Sequence, residues 1–227
     1  MTTPTTSVIV FDVNETLSDM SPMGARFSEV GAPAAMAKLW FATLLRDGFA
    51  LAASADNGSF AAIGANVLRE LLGGVELNRD LDGAVDHIMN GMAGLELHPD
   101  VPDGVRALSA AGFRLVTLSN GSAQLAEKLF GGAGIREEFE ALLSVQDAPA
   151  WKPARASYDY AAAACGTEPA EMLLVAVHPW DIHGAARAGM RTAWLNRTGG
   201  SYPEHFQDPD FTVTTLTGLP AALAEGD

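Results

Sequence analysis

One design recurs along this chain and limits what it can fold into. A short apolar run breaks off at a polar residue, and a helical pattern follows. Residues 7–11 (SVIVF) stop at Asp12, residues 115–118 (LVTL) stop at Ser119, Asn120 and Gly121, and residues 172–177 (MLLVAV) stop at His178 and Pro179. Residues 191–195 form a fourth run, residues 211–213 a fifth, and residues 142–145 a weaker one. Runs this short, apolar without alternation and rich in β-branched residues, suit strands buried on both faces. Helical patterns lie between them. Residues 103–111 close on Gly112, 154–165 on Gly166 and 181–188 on Gly189, glycine being the residue that best ends a helix, and residues 122–130 form another. Strands alternating with helices predict an α/β chain, a Rossmann-like doubly wound parallel sheet with right-handed crossovers.

The stretch from residue 21 to 97 departs from this design. It carries no strand signal, and residues 34–45, 59–72 and 81–92 have helical patterns. The expected organisation is an α/β core of residues 1–20 and 98–227, with a helical cap of residues 21–97 inserted after the first strand. A chain of 227 residues is long enough to bury a core of this kind.

Charge and composition remove several function classes. The net charge of −14 repels nucleic acid and anionic membranes, and no basic cluster offsets it, so no nucleic-acid or membrane partner is expected. No apolar run is long enough to span a bilayer. The opening MTTPTTS lacks the basic and apolar segments of a secretory signal. Cys165 is the single cysteine, so internal disulfides are excluded and a reducing cytoplasm is the default location.

In an open parallel sheet, ligands bind beyond the carboxyl ends of the strands. Asp12, the pair Ser119 and Asn120, and His178 with Asp181 all fall at that edge, and the loop holding Lys152 is expected to open there too. Singly, Asp12 and Ser119 read equally well as turn or helix caps. Together, an acid, a Ser-Asn pair, a lysine and a second acid favour a functional site.

The series FDVNETL, TLSNGS, WKP and HPWDIHGA resembles the four motifs of the haloacid dehalogenase superfamily. LSNGS, the later KP, WD followed by GA, and WLNRTG are similar to its L-2-haloacid dehalogenase (type II) branch. The resemblance runs from residue 7 to about residue 223, with order and spacing kept. It implies that Asp12 is a nucleophile forming an ester that water opens, and that Lys152 keeps Asp12 ionised. Thr16 can supply a hydroxyl, and Ser119 and Asn120 can donate hydrogen bonds to a substrate carboxylate or phosphoryl oxygen. Tyr158 matches a family tyrosine that follows the lysine.

Two departures separate the chain from the superfamily's phosphatases. These usually carry a second Asp two places after the nucleophile, which protonates the leaving alkoxide; Asn14 cannot do so, whereas a halide leaves without a proton. The phosphatases also hold Mg²⁺ with an acidic pair after the third strand; Asp181 matches one acid, but Ala176 takes the other's place. No metal and no cofactor is expected.

Other departures separate it from the dehalogenases. Their first cap helix has an Arg after a Leu-Trp pair, thought to receive the halogen; here Phe41 follows Leu39-Trp40, and Arg46 points elsewhere. Ala176, Val177 and His178 replace a Ser-Ser-Asn. His178 could donate to a leaving halide, which would suit fluoride, or could satisfy a backbone carbonyl. Asp181 could orient Lys152 and the hydrolytic water or only cap a helix. Trp40, Phe41, Phe60 and Trp180 could wall an apolar pocket or be ordinary core, with Trp180 the best candidate for the wall. His87, His98, His183 and His205 lack metal-ligand spacing and read as surface residues.

The expected activity is hydrolytic dehalogenation of a short 2-haloalkanoic acid, with fluoroacetate among the candidates. The alternatives are a Mg²⁺-dependent phosphatase, a dehalogenase-like hydrolase with a non-halogenated substrate, and a binding protein. The expected partner is a small halogenated carboxylate, and a homodimer is suggested by the family alone.

Overall fold

In the computed structural model, which describes residues 6–226, six parallel strands form one sheet. They are β1 (Val8–Phe11), β2 (Arg114–Ser119), β3 (Ala141–Ser144), β4 (Met172–Ala176), β5 (Arg191–Leu195) and β6 (Phe211–Val213), in the spatial order β3-β2-β1-β4-β5-β6. The polar MTTPT at residues 1–5 lies outside the described residues. The strand order reverses between β1 and β4, so their carboxyl ends flank the crevice where such sheets take ligands.

Alternate strand residues face opposite layers. Ile9 and Phe11 of β1, Leu115 of β2, Leu173 and Val175 of β4 and Leu195 of β5 pack on α5 (Val101–Ala110), α6 (Ala123–Gly132) and α9 (Leu219–Gly226). Phe139 anchors this layer, stacked on Phe130 at 4.6 Å and meeting Phe11 edge-on at 6.0 Å. Each such buried Phe contributes about 1.5–3 kcal/mol. Across the sheet, α8 (Pro179–Ala188) packs on β4 and β5, and α7 (Arg155–Cys165) packs on α8.

The chain divides into two compact units. One runs up to Ser18 and resumes at Leu97; the other is Asp19–Glu96. Ser18 and Leu97 pair in a one-residue antiparallel bridge. The second unit holds α1 (Met23–Ser28), α2 (Met36–Ala53), α3 (Phe60–Leu72) and α4 (Leu81–Ala93), with α2 on α3, α3 on α4, α4 on α1 and α1 on α2. One of its elements differs from the sequence expectation. Helix α2 runs two turns past residue 45, through a buried Gly48, the packing of its buried face outweighing the roughly 1 kcal/mol cost of a helical glycine. Trp40 takes the core reading, one of the two the sequence offered: it is fully buried within this unit, its indole N–H donates to the Gly64 carbonyl at 2.9 Å, and its ring lies 6.1 Å from Phe27. Phe41 tilts against Phe60 at 6.5 Å. Arg46 is exposed and pairs with Asp47.

Candidate functional site

Asp12 is the first residue beyond β1. Its N–H donates to the Val175 carbonyl at 3.1 Å, so it still lies in strand register when its side chain leaves the sheet edge. Lys152 reaches it from the loop after β3, 140 positions away. The lysine is fully buried, with Nζ 2.9 Å from Asp12 Oδ1 and 2.6 Å from Asp181 Oδ2. The other Asp181 oxygen accepts the Tyr158 hydroxyl at 2.6 Å. Thr16 donates to Asp12 Oδ2 at 2.6 Å and accepts from the Val177 N–H at 3.1 Å. One cation thus sits between two carboxylates, and each carboxylate is fixed at its second oxygen by a hydroxyl.

Burial alone would raise the Asp12 pKa. Lys152, His178 and the Thr16 hydroxyl outweigh it and hold the carboxyl below its ordinary 3.8. Burial likewise pushes Lys152 down, but the two carboxylates overcome it and lift the ammonium above 10.5. Asp181 lies on the other side of the balance: burial, with the Asp12 charge added, outweighs Lys152 and raises it. Burial beside Asp181 drives the Tyr158 phenol well above its ordinary range, so it stays a donor. The two acids therefore differ in proton affinity although they share one cation.

Helix α8 begins at Pro179, two residues earlier than the sequence suggested, because proline at the first helical position loses no needed N–H. His178 takes the cap position, and the Asp181 carboxylate is committed to Lys152 and Tyr158. His178 is buried, its ring stacked on Trp180 at 5.0 Å. Its Nε2 lies 3.2 Å from the Asn14 carbonyl, 3.6 Å from Asp12 Oδ2 and 3.7 Å from Glu15 Oε2. That places it in contact with the Asp12 loop and on a backbone carbonyl at once. The Trp180 ring centre is 6.0 Å from Lys152 Nζ.

Asn120 bonds to the Lys152 peptide at both ends of its amide: Oδ1 accepts the Lys152 N–H at 3.0 Å, and Nδ2 donates to the Lys152 carbonyl at 3.3 Å. Ser119 Oγ accepts the Gly121 N–H at 2.9 Å. A side chain on Gly121 would come within 3.2 Å of both Asn14 Nδ2 and Ser119 Oγ, so these two side chains lie close together over the turn. The geometry thus brings Asp12, Asn14, Thr16, Ser119, Asn120, Lys152, Tyr158, His178, Trp180 and Asp181 to one sheet edge. Phe41 belongs to the helical unit.

His98 and His87, expected at the surface, are both partly exposed and both bonded: His98 has Nε2 3.0 Å from the Glu15 carbonyl, and His87 pairs with Glu29 at 2.7 Å. Sequence reasoning also missed Gly184. A Cβ there would stand 2.6 Å from both Pro153 Cβ and the Tyr158 hydroxyl, so only glycine lets α8 approach the Lys152 turn this closely. Gly184→Ala should cost about 1–3 kcal/mol and displace Tyr158 from Asp181; thermal melts together with kcat would check it.

The residues present do not fit a Mg²⁺ site. The oxygens of Asp12 and Asp181 converge on an ammonium, Ala176 offers no ligand, and no group of three His, Cys, Asp or Glu among the described residues could hold a metal ion. Among the described residues no helix is long and apolar enough to cross a membrane.

The sequence profile of haloacid dehalogenase-like hydrolases matches residues 6–189. Haloacetate dehalogenase H-2 of Moraxella sp. (strain B) is 34% identical over 160 residues, 70% of this chain and 71% of the relative. (S)-2-haloacid dehalogenase 4A of Burkholderia cepacia is 28% identical over 218 residues, 95% and 94% of the two chains. The crystal structure of an L-2-haloacid dehalogenase superposes with a TM-score of 0.90 at 26% identity, covering 97% of this chain and 99% of that one.

Proposed function

Because this chain belongs to the haloacid dehalogenase-like hydrolases, and within them to the L-2-haloacid dehalogenase branch, we propose that it hydrolyses the carbon–halogen bond of short 2-haloalkanoic acids through an ester on Asp12. The observation that carries the reading is the ion cluster of Asp12, Lys152 and Asp181. It supplies an ionised, oriented carboxylate and offers no proton donor for an alkoxide at position 14.

In the first step an Asp12 oxygen attacks C2 of the substrate from the side opposite the halogen. A C–O bond forms, the carbon–halogen bond breaks, and the halide leaves with the electron pair, so C2 is inverted. Lys152 and Thr16 hold the attacking carboxylate in one plane. Ser119, Asn14 and the remaining N–H of Asn120 are assigned to the substrate, with Trp180 along an apolar side. In the second step water attacks the Asp12 carbonyl carbon. Asp181, with the higher proton affinity of the two acids, takes one proton of the water; the bond from the Asp12 carbonyl carbon to the ester oxygen then breaks, and the departing alkoxide takes the water's other proton, which restores the Asp12 carboxylate and releases a 2-hydroxy acid. The helical unit enters the proposal as a cap and Phe41 as a substrate-binding residue. A reducing cytoplasm fits the lone, buried Cys165, and a homodimer is the family's precedent.

The pH dependence follows from the directions of the shifts. Asp12 is lowered from 3.8 and Lys152 raised from 10.5, so both are charged across the neutral range. Asp181 is raised from 3.8 and must be ionised to accept a proton in the second step. The ester carries no charge at Asp12, so part of what raises Asp181 is gone in the second step; kcat/KM, which reports Asp12 in the free enzyme, should stay level across the neutral range and fall only on the acid side, as Asp12 takes a proton. Steady-state halide release across the pH range checks this.

The direct test is halide release from a panel of 2-haloacids without added metal, with Asp12→Ala as control. Release that vanishes in the control supports the reading; phosphate release from p-nitrophenyl phosphate with no halide release would replace it by the phosphatase alternative. His178→Asn tests the finer point. A larger loss on fluoroacetate than on 2-chloropropionate would assign the imidazole to fluoride departure, and equal losses would leave it a loop-holding residue.

A further inference from the structure

The turn that follows the nucleophile is held by its carbonyl oxygens. The Asn14 carbonyl lies 3.2 Å from His178 Nε2 and the Glu15 carbonyl 3.0 Å from His98 Nε2. The Thr16 carbonyl accepts from Arg197 twice, Nε at 3.1 Å and Nη2 at 2.9 Å, and the Leu17 carbonyl accepts the His98 N–H at 2.9 Å. Four consecutive carbonyls are thus gripped from three places: His98 holds those of Glu15 and Leu17, Arg197 just beyond β5 that of Thr16, and His178 that of Asn14.

Arg197 is braced from behind. Its Nη1 lies 2.8 Å from Asp100 Oδ1, and Asp100 Oδ2 accepts the Leu216 N–H at 2.6 Å. Both charged side chains are more than four-fifths buried. The guanidinium presents several donors in one fixed plane, so a single side chain can hold a carbonyl with one edge and a carboxylate with the other. The turn needs such support: Glu15 has φ of 61°, a left-handed conformation that a non-glycine residue keeps only when its surroundings fix it.

The purpose of the grip lies one bond further on. The Thr16 hydroxyl donates to Asp12 Oδ2, while Lys152 holds Oδ1. These two bonds set the rotation of the carboxylate and hence the direction of its lone pairs. The Thr16 hydroxyl points at Asp12 only while the Thr16 peptide stays where Arg197 holds it. We infer that Arg197, backed by Asp100 and joined by His98, is a positioning residue for the nucleophile, acting on Asp12 through the Thr16 peptide.

The experiment is a double-mutant cycle of Arg197→Gln with Thr16→Val, read as the single-turnover rate of ester formation. This arm rests on the dehalogenase reading above. Arg197→Gln alone should slow that step by about 10- to 100-fold with KM little changed, since small misplacement of a reacting group has costs of this size. In the Thr16→Val background, where the hydroxyl is already gone, the same change should cost no more than about threefold. Equal losses in both backgrounds would show that Arg197 merely supports the fold and would overturn the inference. Arg197→Lys keeps the charge beside Asp100 and serves if the Gln variant does not fold; it should show the same non-additivity.

A second arm needs no substrate. Amide hydrogen exchange of Leu17 and Ser18, both bonded to the Val13 carbonyl, should speed up at least about tenfold in the Arg197 variant, with the sheet unchanged. Unchanged exchange there would overturn the inference whatever the enzyme's activity. A wild-type chain that releases no halide would instead remove the functional reading and leave this arm to decide the grip.

Discussion

Lys152→Met should lose both the fold's margin and the chemistry. The ammonium bridges Asp12 and Asp181, and all three groups are buried. Methionine matches its length but leaves two carboxylates facing each other in a dry site. Removing one partner of a buried ion pair costs about 3–5 kcal/mol, because the remaining charge keeps its desolvation penalty without its compensation. Two stranded carboxylates place this variant at the upper end. The nucleophile is lost as well: one of the pair will hold a proton at neutral pH, and halide release should fall by at least about a thousandfold. In the variant, burial and like charge raise the folded pKa of these acids. Stability from a raised acid is present below its unfolded pKa and is lost as pH rises through the folded value. The deficit against wild type should therefore narrow as pH falls towards the ordinary carboxylate range. Urea unfolding at several pH values, beside halide assays, would show both effects.

Asp12→Asn should separate them. The amide keeps the carboxylate's shape, Lys152 keeps Asp181 at 2.6 Å, and Thr16 can turn its hydroxyl to accept instead of donate. One buried charge and its desolvation penalty disappear together, so stability should stay within about 2 kcal/mol of wild type. Activity should fall to background, because a neutral amide does not displace halide from carbon. Loss of turnover with an intact unfolding transition is the expected result; retained turnover would mean that the nucleophile lies elsewhere.

These two residues were legible from sequence for a physical reason. A parallel strand covered on both faces must be apolar throughout, so the carboxylate that ends β1 stands out against Val8–Phe11. The order of the polar strand ends then located the sheet edge. The pairing of Asp12 with Lys152 was legible only through the family pattern, since no local signal joins residues 140 positions apart. The rest was hidden because it works through the backbone. Arg197 and His98 hold carbonyl oxygens, which every residue has, so the turn they grip carries no side-chain mark of being gripped. The bonds from both ends of the Asn120 amide to the Lys152 peptide were hidden too, because a polar residue at a strand end looks the same whether or not it also holds a neighbouring peptide. Helix α1 was missed because it has only six residues, too few to show a period. The added turns of α2 were missed because Arg46, Asp47 and Gly48 read as a helix end when the packing that carries the helix through them is out of view.

The central claim is that the Asp12 carboxyl takes up the substrate carbon and later exchanges one of its own oxygens with water. A single turnover in ¹⁸O-labelled water with enzyme in excess, followed by mass analysis of the peptide that contains Asp12, reads this directly. The expected result is one heavy oxygen in the side chain and an unlabelled hydroxyl in the product. Label in the product hydroxyl with none in Asp12 would mean that water attacks the substrate carbon itself, and would contradict the ester mechanism.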